Sequence, residues 1–121
     1  MLEHEYWSDV PGYEGSYQAS THGRILSLRR VVPCSRWGWR TVPERMLITT
    51  RLKSNGAVSV VLCREGERRE ISVGRVILKT FSYDMPDPWM AIHTDGDPTN
   101  NHLHNLEWGL TMDQAYNRSG L

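Results

Sequence analysis

Alternating apolar and polar residues, separated by turn-forming pairs, occupy the middle of the chain. This alternation predicts β-strands over residues 46–52, 58–63 and 69–73, because the side chains of a strand point alternately to its two faces. Asn55-Gly56 and Glu65-Gly66 lie between these runs, and such pairs favour the tight turns of β-hairpins. The segment from residue 31 to residue 72 is therefore predicted to be rich in β-hairpins.

The spacing of apolar residues changes after residue 72. Apolar residues at positions 73, 76, 77, 78 and 81 predict a short amphipathic helix over residues 73–81. Nearer the N-terminus, residues 17–20 and 24–28 are typical of two short strands, and His22-Gly23 predicts the turn between them. At 121 residues the chain is long enough for one modest core, so we predict a single α+β domain, residues 1–121, built on an antiparallel β-sheet.

A polar loop follows His93. Asp95-Gly96 is a strong turn signal, and residues 98–101 are Pro, Thr, Asn and Asn, which suit an ordered but irregular loop. Residues 106–108 then alternate apolar, acidic and apolar, which predicts a short strand. Thr-Met-Asp-Gln at residues 111–114 fits a capping box and predicts a final helix.

His93 is the candidate general base of this loop. Hydrolysis of a phosphodiester needs a group that takes a proton from water, and histidine ionises near neutral pH. It also needs an electrophile at the leaving oxygen, a role that suits a hard cation such as Mg²⁺. The alternative interpretations are that His93 is an ordinary polar surface residue and that the amides of the loop serve turn formation alone.

Two segments resemble parts of a known family. Residues 92–114 resemble the HNH nuclease motif in the spacing of His93, Asn105 and a helix after Trp108. Residues 5–30 resemble the nuclease-associated modular domain of phage and homing-endonuclease-type HNH enzymes, through the core Trp-x4-Gly-Tyr-Glu-Gly-x-Tyr-x2-Ser. The resemblance implies a C-terminal ββα-metal (HNH, His-Me finger) motif within residues 73–121. The aromatic residues of the module would also suit a small aromatic core.

The resemblance implies a role for several residues of the motif. His93 would be the catalytic base, and Asn105 would bridge the loop that surrounds it. A divalent metal, Mg²⁺ in the first place and Mn²⁺ as the alternative, would be held by Gln114, Asp113 and Asp95.

Three positions depart from the family pattern. Ile92 stands where an Asp or His commonly precedes the base, and Gln114 stands where Asn or His is usual. Gly74 stands where relatives have a His in the helix after the β-rich segment. Gln114 is explained equally well by the capping box, so its role as a metal ligand has a structural alternative.

The charges are segregated along the chain, although the formal net charge is zero. Residues 24–53 contain eight basic residues and one acid, a net charge of +7, whereas residues 84–121 contain six acids and one Arg, a net charge of −5. This pattern favours a protein whose basic stripe binds the phosphate backbone of DNA and whose acidic end binds a metal ion. The predicted DNA-binding residues are Arg24, Arg29, Arg30, Arg36, Arg40, Arg45, Arg51 and Lys53. Solvated surface arginines would give the same composition.

Two functional hypotheses follow. The first is a metal-dependent endonuclease or nickase of double-stranded DNA, of phage or prophage type, which acts in the cytoplasm of the host cell. Its specificity would come from the basic segment, from a homodimer or from a partner protein. The second is a degenerate HNH scaffold that binds nucleic acid or a protein without cutting. No apolar run is long enough to span a membrane, and the acidic N-terminus is unlike a secretory signal, so Cys34 and Cys63 are expected to be reduced thiols.

Overall fold

In the computed structural model, the fold is described for residues 4–34, 38–47, 51–52, 56–86 and 88–110. Residues 111–121, with the predicted final helix, lie outside these ranges. The elements, in chain order, are β1 (Trp7–Asp9), β2 (Tyr17–Ser20), β3 (Ile25–Ser27), β4 (Arg30–Cys34), β5 (Gly38–Val42), β6 (Arg45–Met46), β7 (Arg51–Leu52), β8 (Val58–Arg64), β9 (Glu67–Ser72), α1 (Val73–Phe81), β10 (Met90–His93), a 3-10 turn (Leu103–Asn105) and β11 (Leu106–Gly109).

The strands of the described ranges form four antiparallel sheets. Their strand orders are β1-β2-β3-β6, β4-β5, β7-β8-β9 and β10-β11. The expectation of a single sheet was therefore wrong, although the α+β class and the antiparallel pairing are confirmed. The strands are short, between two and seven residues, and they surround one helix instead of extending side by side.

Local signals predicted several elements correctly. The strand at residues 17–20 and the helix at residues 73–81 lie where the sequence placed them. Glu65 and Gly66 form the predicted turn between β8 and β9, with φ of 53° and 81°. The strand predicted over residues 46–52 was wrong as a continuous element, because Leu47 lies outside the strands that end at Met46 and begin at Arg51.

Helix α1 is the centre of the core. It contacts β1 and β2 of the first sheet, β8 and β9 of the third, and both β10 and β11. Val73, Val76, Ile77 and Leu78 are buried along it, and Ser72 caps its N-terminus by accepting a hydrogen bond from the Arg75 amide at 3.3 Å. The β10-β11 hairpin is thereby packed against the same helix as the N-terminal sheet. No helix among the described residues has the length and apolarity of a membrane span.

Candidate functional site

The candidate site lies at the loop end of the hairpin formed by β10 and β11. His93 is the last residue of β10 and pairs with Leu106, the first residue of β11. The chain turns immediately after His93, where the Gly96 amide donates to the His93 carbonyl at 3.0 Å and Gly96 has a φ of 79°. The predicted turn is therefore present, and it leaves the half-buried imidazole at the start of the loop.

Asn105 is the hydrogen-bonding centre of the loop. Its Oδ1 accepts from the Thr94 hydroxyl at 2.9 Å and from the Asp95 amide at 3.1 Å. Its Nδ2 donates to Asp95 Oδ1 at 3.0 Å and to the Asn100 carbonyl at 2.9 Å. The side chain is 5% exposed, and these four bonds use all of its donors and acceptors. Asn105 thus bridges the two sides of the loop, as the resemblance implied.

Asp95 is bound to the loop as well. Its carboxylate accepts from Asn100 Nδ2 and the Asp97 amide, both at 2.8 Å, and from Asn105. These bonds, with Asn100 first, lower the pKa of Asp95, so the group is an anionic brace at neutral pH. Asp97 accepts from the hydroxyl and the amide of Thr99 in the same way, and its pKa is also lowered.

Asn101 is a site residue that sequence analysis missed. Its Oδ1 lies 2.8 Å from His93 Nε2, and the residue is 7% exposed. A carboxamide oxygen only accepts, so this contact requires a proton on Nε2 and leaves the lone pair of a neutral ring on Nδ1. The adjacent amides at residues 100 and 101 were assigned to turn formation, and nothing in the local sequence distinguishes the one that contacts the histidine.

The predicted metal ligands are only partly within the described residues. Gln114 and Asp113 lie outside them, and Asp95 is engaged by three donors of the loop. Ile92, which directly precedes His93, is 4% exposed and belongs to the apolar interior. Within the described ranges, no group of three His, Cys, Asp or Glu side chains could hold a metal ion. These residues alone therefore do not fit a divalent cation.

Arg75 fastens the hairpin to α1. Its guanidinium donates to the carbonyls of Trp89, at 2.8 Å, and Met85, and lies 5.1 Å from the ring of Trp108. The Trp108 indole donates to the Tyr83 carbonyl at 2.9 Å. The segment that enters β10 is thus held between the helix and the second strand of the hairpin.

Two of the predicted DNA-binding arginines are bonded within the protein. Arg24 forms a two-pronged ion pair with Glu5 and lies over the Trp7 ring, 5.5 Å from its centroid. Arg30 is half-buried over the Tyr17 ring, 4.7 Å from its centroid. It donates to four oxygens within 3.2 Å, namely those of Ser16 O, Ser27 Oγ, Leu28 O and Tyr17 Oη.

Other arginines face a cleft between β5, β6 and the third sheet. Arg40, Arg45 and Arg68 are exposed and line this cleft of about 490 Å³, together with Arg30. Arg68 was not singled out from the sequence, because only the tertiary fold brings β9 to the same cleft as the ribbon, the two-stranded sheet of β4 and β5. Arg29 is exposed, only the backbone of Arg51 is described, and Arg36 and Lys53 lie outside the described residues.

The N-terminal half of the chain is similar to a known motif. The chain matches the model of the NUMOD4 motif over residues 5–63, from just before β1 into β8. This match confirms the resemblance to the nuclease-associated module, and the matched residues extend well beyond the predicted segment of residues 5–30. The chain is thus similar to a NUMOD4 motif over residues 5–63, and His93 and Asn105 lie further along the chain, at the loop of the β10-β11 hairpin.

One curated relative is similar to most of the chain. The chain is 24% identical over 102 residues to the DNA endonuclease I-HmuI of Bacillus phage SP01, which corresponds to 84% of this chain and 51% of the relative. A solved structure titled "DNA binding and cleavage by the HNH homing endonuclease I-HmuI" matches with a TM-score of 0.70 at 24% identity, covering 95% of this chain and 58% of that one. The resemblance to phage HNH endonucleases is confirmed, and the chain spans little more than half the length of this relative.

Proposed function

We propose that the protein is a metal-dependent DNA endonuclease in which His93 is the general base. The neutral imidazole takes a proton from water through Nδ1, while Asn101 holds the proton on Nε2. The water oxygen attacks phosphorus, the bond from phosphorus to the leaving oxygen of the backbone breaks, and the leaving oxygen takes a proton from solvent. The contact of 2.8 Å between His93 Nε2 and Asn101 Oδ1 is the observation that carries this proposal.

Asn105 acts in this proposal as the residue that preserves the shape of the loop. Its four hydrogen bonds join Thr94 and Asp95, which directly follow the base, to Asn100 on the far side of the loop. Because these bonds exist before any substrate binds, the imidazole needs little rearrangement when a phosphate arrives.

The metal is the part of the proposal that depends on residues beyond the described ranges. We retain Gln114, Asp113 and Asp95 as the proposed ligands of Mg²⁺ or Mn²⁺, which would stabilise charge at the phosphate. Asp95 could take this role only if the cation tolerates or replaces its bonds to the loop amides.

Plasmid nicking tests the hydrolytic function. Supercoiled plasmid is incubated with the protein and Mg²⁺ or Mn²⁺, with EDTA as the metal-free control. The His93→Ala variant is expected to lose at least about a hundredfold in rate, which is typical for removal of a general base. His104→Ala is the matched control, because His104 is an exposed histidine of the same loop. Equal rates for the two variants would refute the role of His93.

The proposed DNA contact is the cleft lined by Arg40, Arg45 and Arg68. Three exposed guanidinium groups from three strands give a concentrated positive charge that suits a phosphate backbone. Arg68→Ala is expected to weaken DNA binding and to lower the salt slope by about 0.9, the value for one lost phosphate contact. Arg69→Ala is the matched control, because Arg69 is the next residue of β9 and points to the opposite face.

A second candidate function is DNA binding without cleavage. The buried Ile92 side chain favours it, because an apolar side chain cannot supply a metal ligand directly before His93. A wild-type protein that shifts DNA in a gel but leaves plasmid supercoiled with either cation would support the second function over the first. We place either activity in the cytoplasm of a phage-infected or lysogenic host cell.

A further inference from the structure

We propose that the N-terminal module positions His93 through Asn101, so that the turn at Gly23 supports the candidate base in addition to any contact with DNA. The inference rests on the proposed function for its catalytic consequence, but its structural part concerns only the tautomer of one ring. In this inference the module holds Asn101 in place, and Asn101 is a positioning residue that orients the His93 ring.

The first contact joins the module to the backbone of Asn101. A Cβ atom at Gly23 would lie 2.8 Å from the Asn101 carbonyl oxygen and 3.0 Å from Asn101 Cβ, so only glycine allows this approach. The neighbouring Thr21 carbonyl accepts from the Leu103 amide at 2.9 Å. The turn and the loop are thus in direct contact on both sides of residue 102.

The turn itself is rigidly held within the module. The buried Ser20 hydroxyl accepts from the amides of His22 and Arg24, each at 3.1 Å, and the Gly23 amide donates to the Ser20 carbonyl at 3.1 Å. A residue that packs against this turn is therefore placed by the β2-β3 hairpin and not by the loop alone.

The second contact comes from helix α1 on the side-chain end of Asn101. A Cβ atom at Gly74 would lie 3.3 Å from Asn101 Oδ1 and 3.0 Å from Ala91 Cβ. The carboxamide therefore occupies a narrow space between α1 and His93, with the module behind its backbone. A larger residue at position 74 would require Asn101 or β10 to move by a few tenths of an ångström.

The consequence for His93 follows from the chemistry of the amide. The fixed Oδ1 accepts only, so it selects the Nε2–H tautomer and leaves Nδ1 as the basic atom. If Asn101 shifts, the ring can rotate and the two tautomers become closer in energy. Displacements of about 1 Å cost on the order of a hundredfold in rate in positioned reactions.

The test compares two glycines with nearly the same positive φ, a backbone conformation that is strained for any other residue. Gly23 has a φ of 89° and Gly12 has a φ of 86°, but only Gly23 has a neighbour within 4 Å. Gly23→Ala and Gly12→Ala therefore impose the same backbone cost, and the difference between them reports the contact with Asn101. Long-range ¹H–¹⁵N NMR spectra of the metal-free protein give the ring tautomer, with the His93 signals assigned by their loss in His93→Ala.

We expect the Nε2–H pattern for His93 in the wild type and in Gly12→Ala, and mixed tautomers in Gly23→Ala and Asn101→Ala. The nicking rate should fall at least about tenfold in Gly23→Ala relative to Gly12→Ala. If Gly23→Ala fails to fold, Ser20→Ala, which removes the hydroxyl that accepts from the His22 and Arg24 amides of the turn, is expected to give mixed tautomers, and a wild-type pattern there would overturn the inference. An Nδ1–H pattern in the wild type, or a ring pattern in Asn101→Ala equal to that of the wild type, would overturn the inference.

The spectra separate this inference from the proposed function. A protein that never nicks DNA but shows the expected tautomers would refute the endonuclease and leave the positioning by the module intact. A protein that nicks DNA with equal rates in Gly23→Ala and Gly12→Ala, and with equal His93 spectra, would retain the endonuclease and lose the inference.

Discussion

The loop between β10 and β11 and the β4-β5 ribbon use polar residues in opposite ways. In the loop, the side chains of Asp95, Asn101 and Asn105 bond to other groups of the loop or to His93. On the outer face of the ribbon, Val31 and Trp39 are 60% and 68% exposed, and exposed Arg40 lines the cleft on the other face. The loop is ordered by hydrogen bonds among its own residues, whereas the ribbon exposes its side chains to solvent.

The difference separates two requirements of a DNA-cutting protein. A reacting group must be held within fractions of an ångström, which needs bonds formed before the substrate arrives. Attraction of a phosphate backbone needs only charge at moderate range, and flexible arginines supply it. Substitutions in the loop should therefore change stability and rate, and substitutions on the ribbon should change affinity and its salt dependence.

Asn105→Ala should have the largest effect on stability. It removes four hydrogen bonds and leaves the Asp95 and Asn100 groups without their buried partner, so unfolding by urea should show a loss of about 3 kcal/mol. Asn100→Ala is the control within the loop and should cost about 1 kcal/mol, since its side chain makes fewer bonds. Equal losses for the two variants would remove Asn105 as the centre of the loop.

Arg30→Ala and Arg40→Ala should separate structure from binding within the ribbon. Arg30 makes four hydrogen bonds and covers the Tyr17 ring, so its loss should cost about 2 kcal/mol of stability. Arg40 is exposed, and its loss should change stability by less than about 0.5 kcal/mol while it weakens DNA binding. An Arg40→Ala variant that binds DNA as tightly as the wild type at low salt would contradict the proposed role of the ribbon in DNA binding.

The elements that sequence predicted well are those with strong local signals. Glu65-Gly66 is a turn pair between two alternating runs, and α1 has a clear apolar face with Ser72 as its cap. Residues 31–72 were expected to be rich in β-hairpins, but the two strands of the ribbon were not placed individually, because their residues do not alternate in polarity and because Pro33, which cannot donate to a ladder, lies within β4. It forms through the pairing of two mostly exposed strands. Because neither strand has a buried apolar face, the sequence carries no alternating pattern that would predict it.

The residues of the candidate site also differ in whether the local sequence or the tertiary fold determines their roles. The positions of His93 and Asn105 follow a spacing within one segment, so the resemblance identified them. Asn101 acquires its role only when Gly23 and Gly74, which are 51 residues apart in the chain, close on it from two sides. Likewise Arg24 and Arg30 counted as basic residues in the sequence, but tertiary contacts with Glu5 and Tyr17 determine what they do.

The ion pair of Glu5 with Arg24 should make the stability of the module depend on pH. Hydrogen bonds from Arg24 lower the pKa of Glu5 from 4.5 to about 2. A lowered folded-state pKa gives a stabilisation that is present above pH 4.5 and is lost as the pH falls from 4.5 to about 2. As the pH is lowered from 6 to 3, the midpoint temperature of thermal unfolding should therefore fall less steeply in Glu5→Gln than in the wild type. Glu67→Gln, an exposed carboxylate at the start of β9, is the control and should keep the wild-type slope.

Trp39→Ser should have the smallest effect on stability and tests the ribbon at its most exposed aromatic residue. The indole is 68% exposed and pairs across the ribbon with Pro33, which is exposed too, so little apolar surface returns to water when it is removed. We expect a change of less than about 0.5 kcal/mol in urea unfolding. Trp108→Ser is the contrast, because that indole packs on the core and donates to the Tyr83 carbonyl. A loss at Trp39 as large as that at Trp108 would mean that the outer face of the ribbon is covered, and the distinction between a bonded loop and an open ribbon would fail.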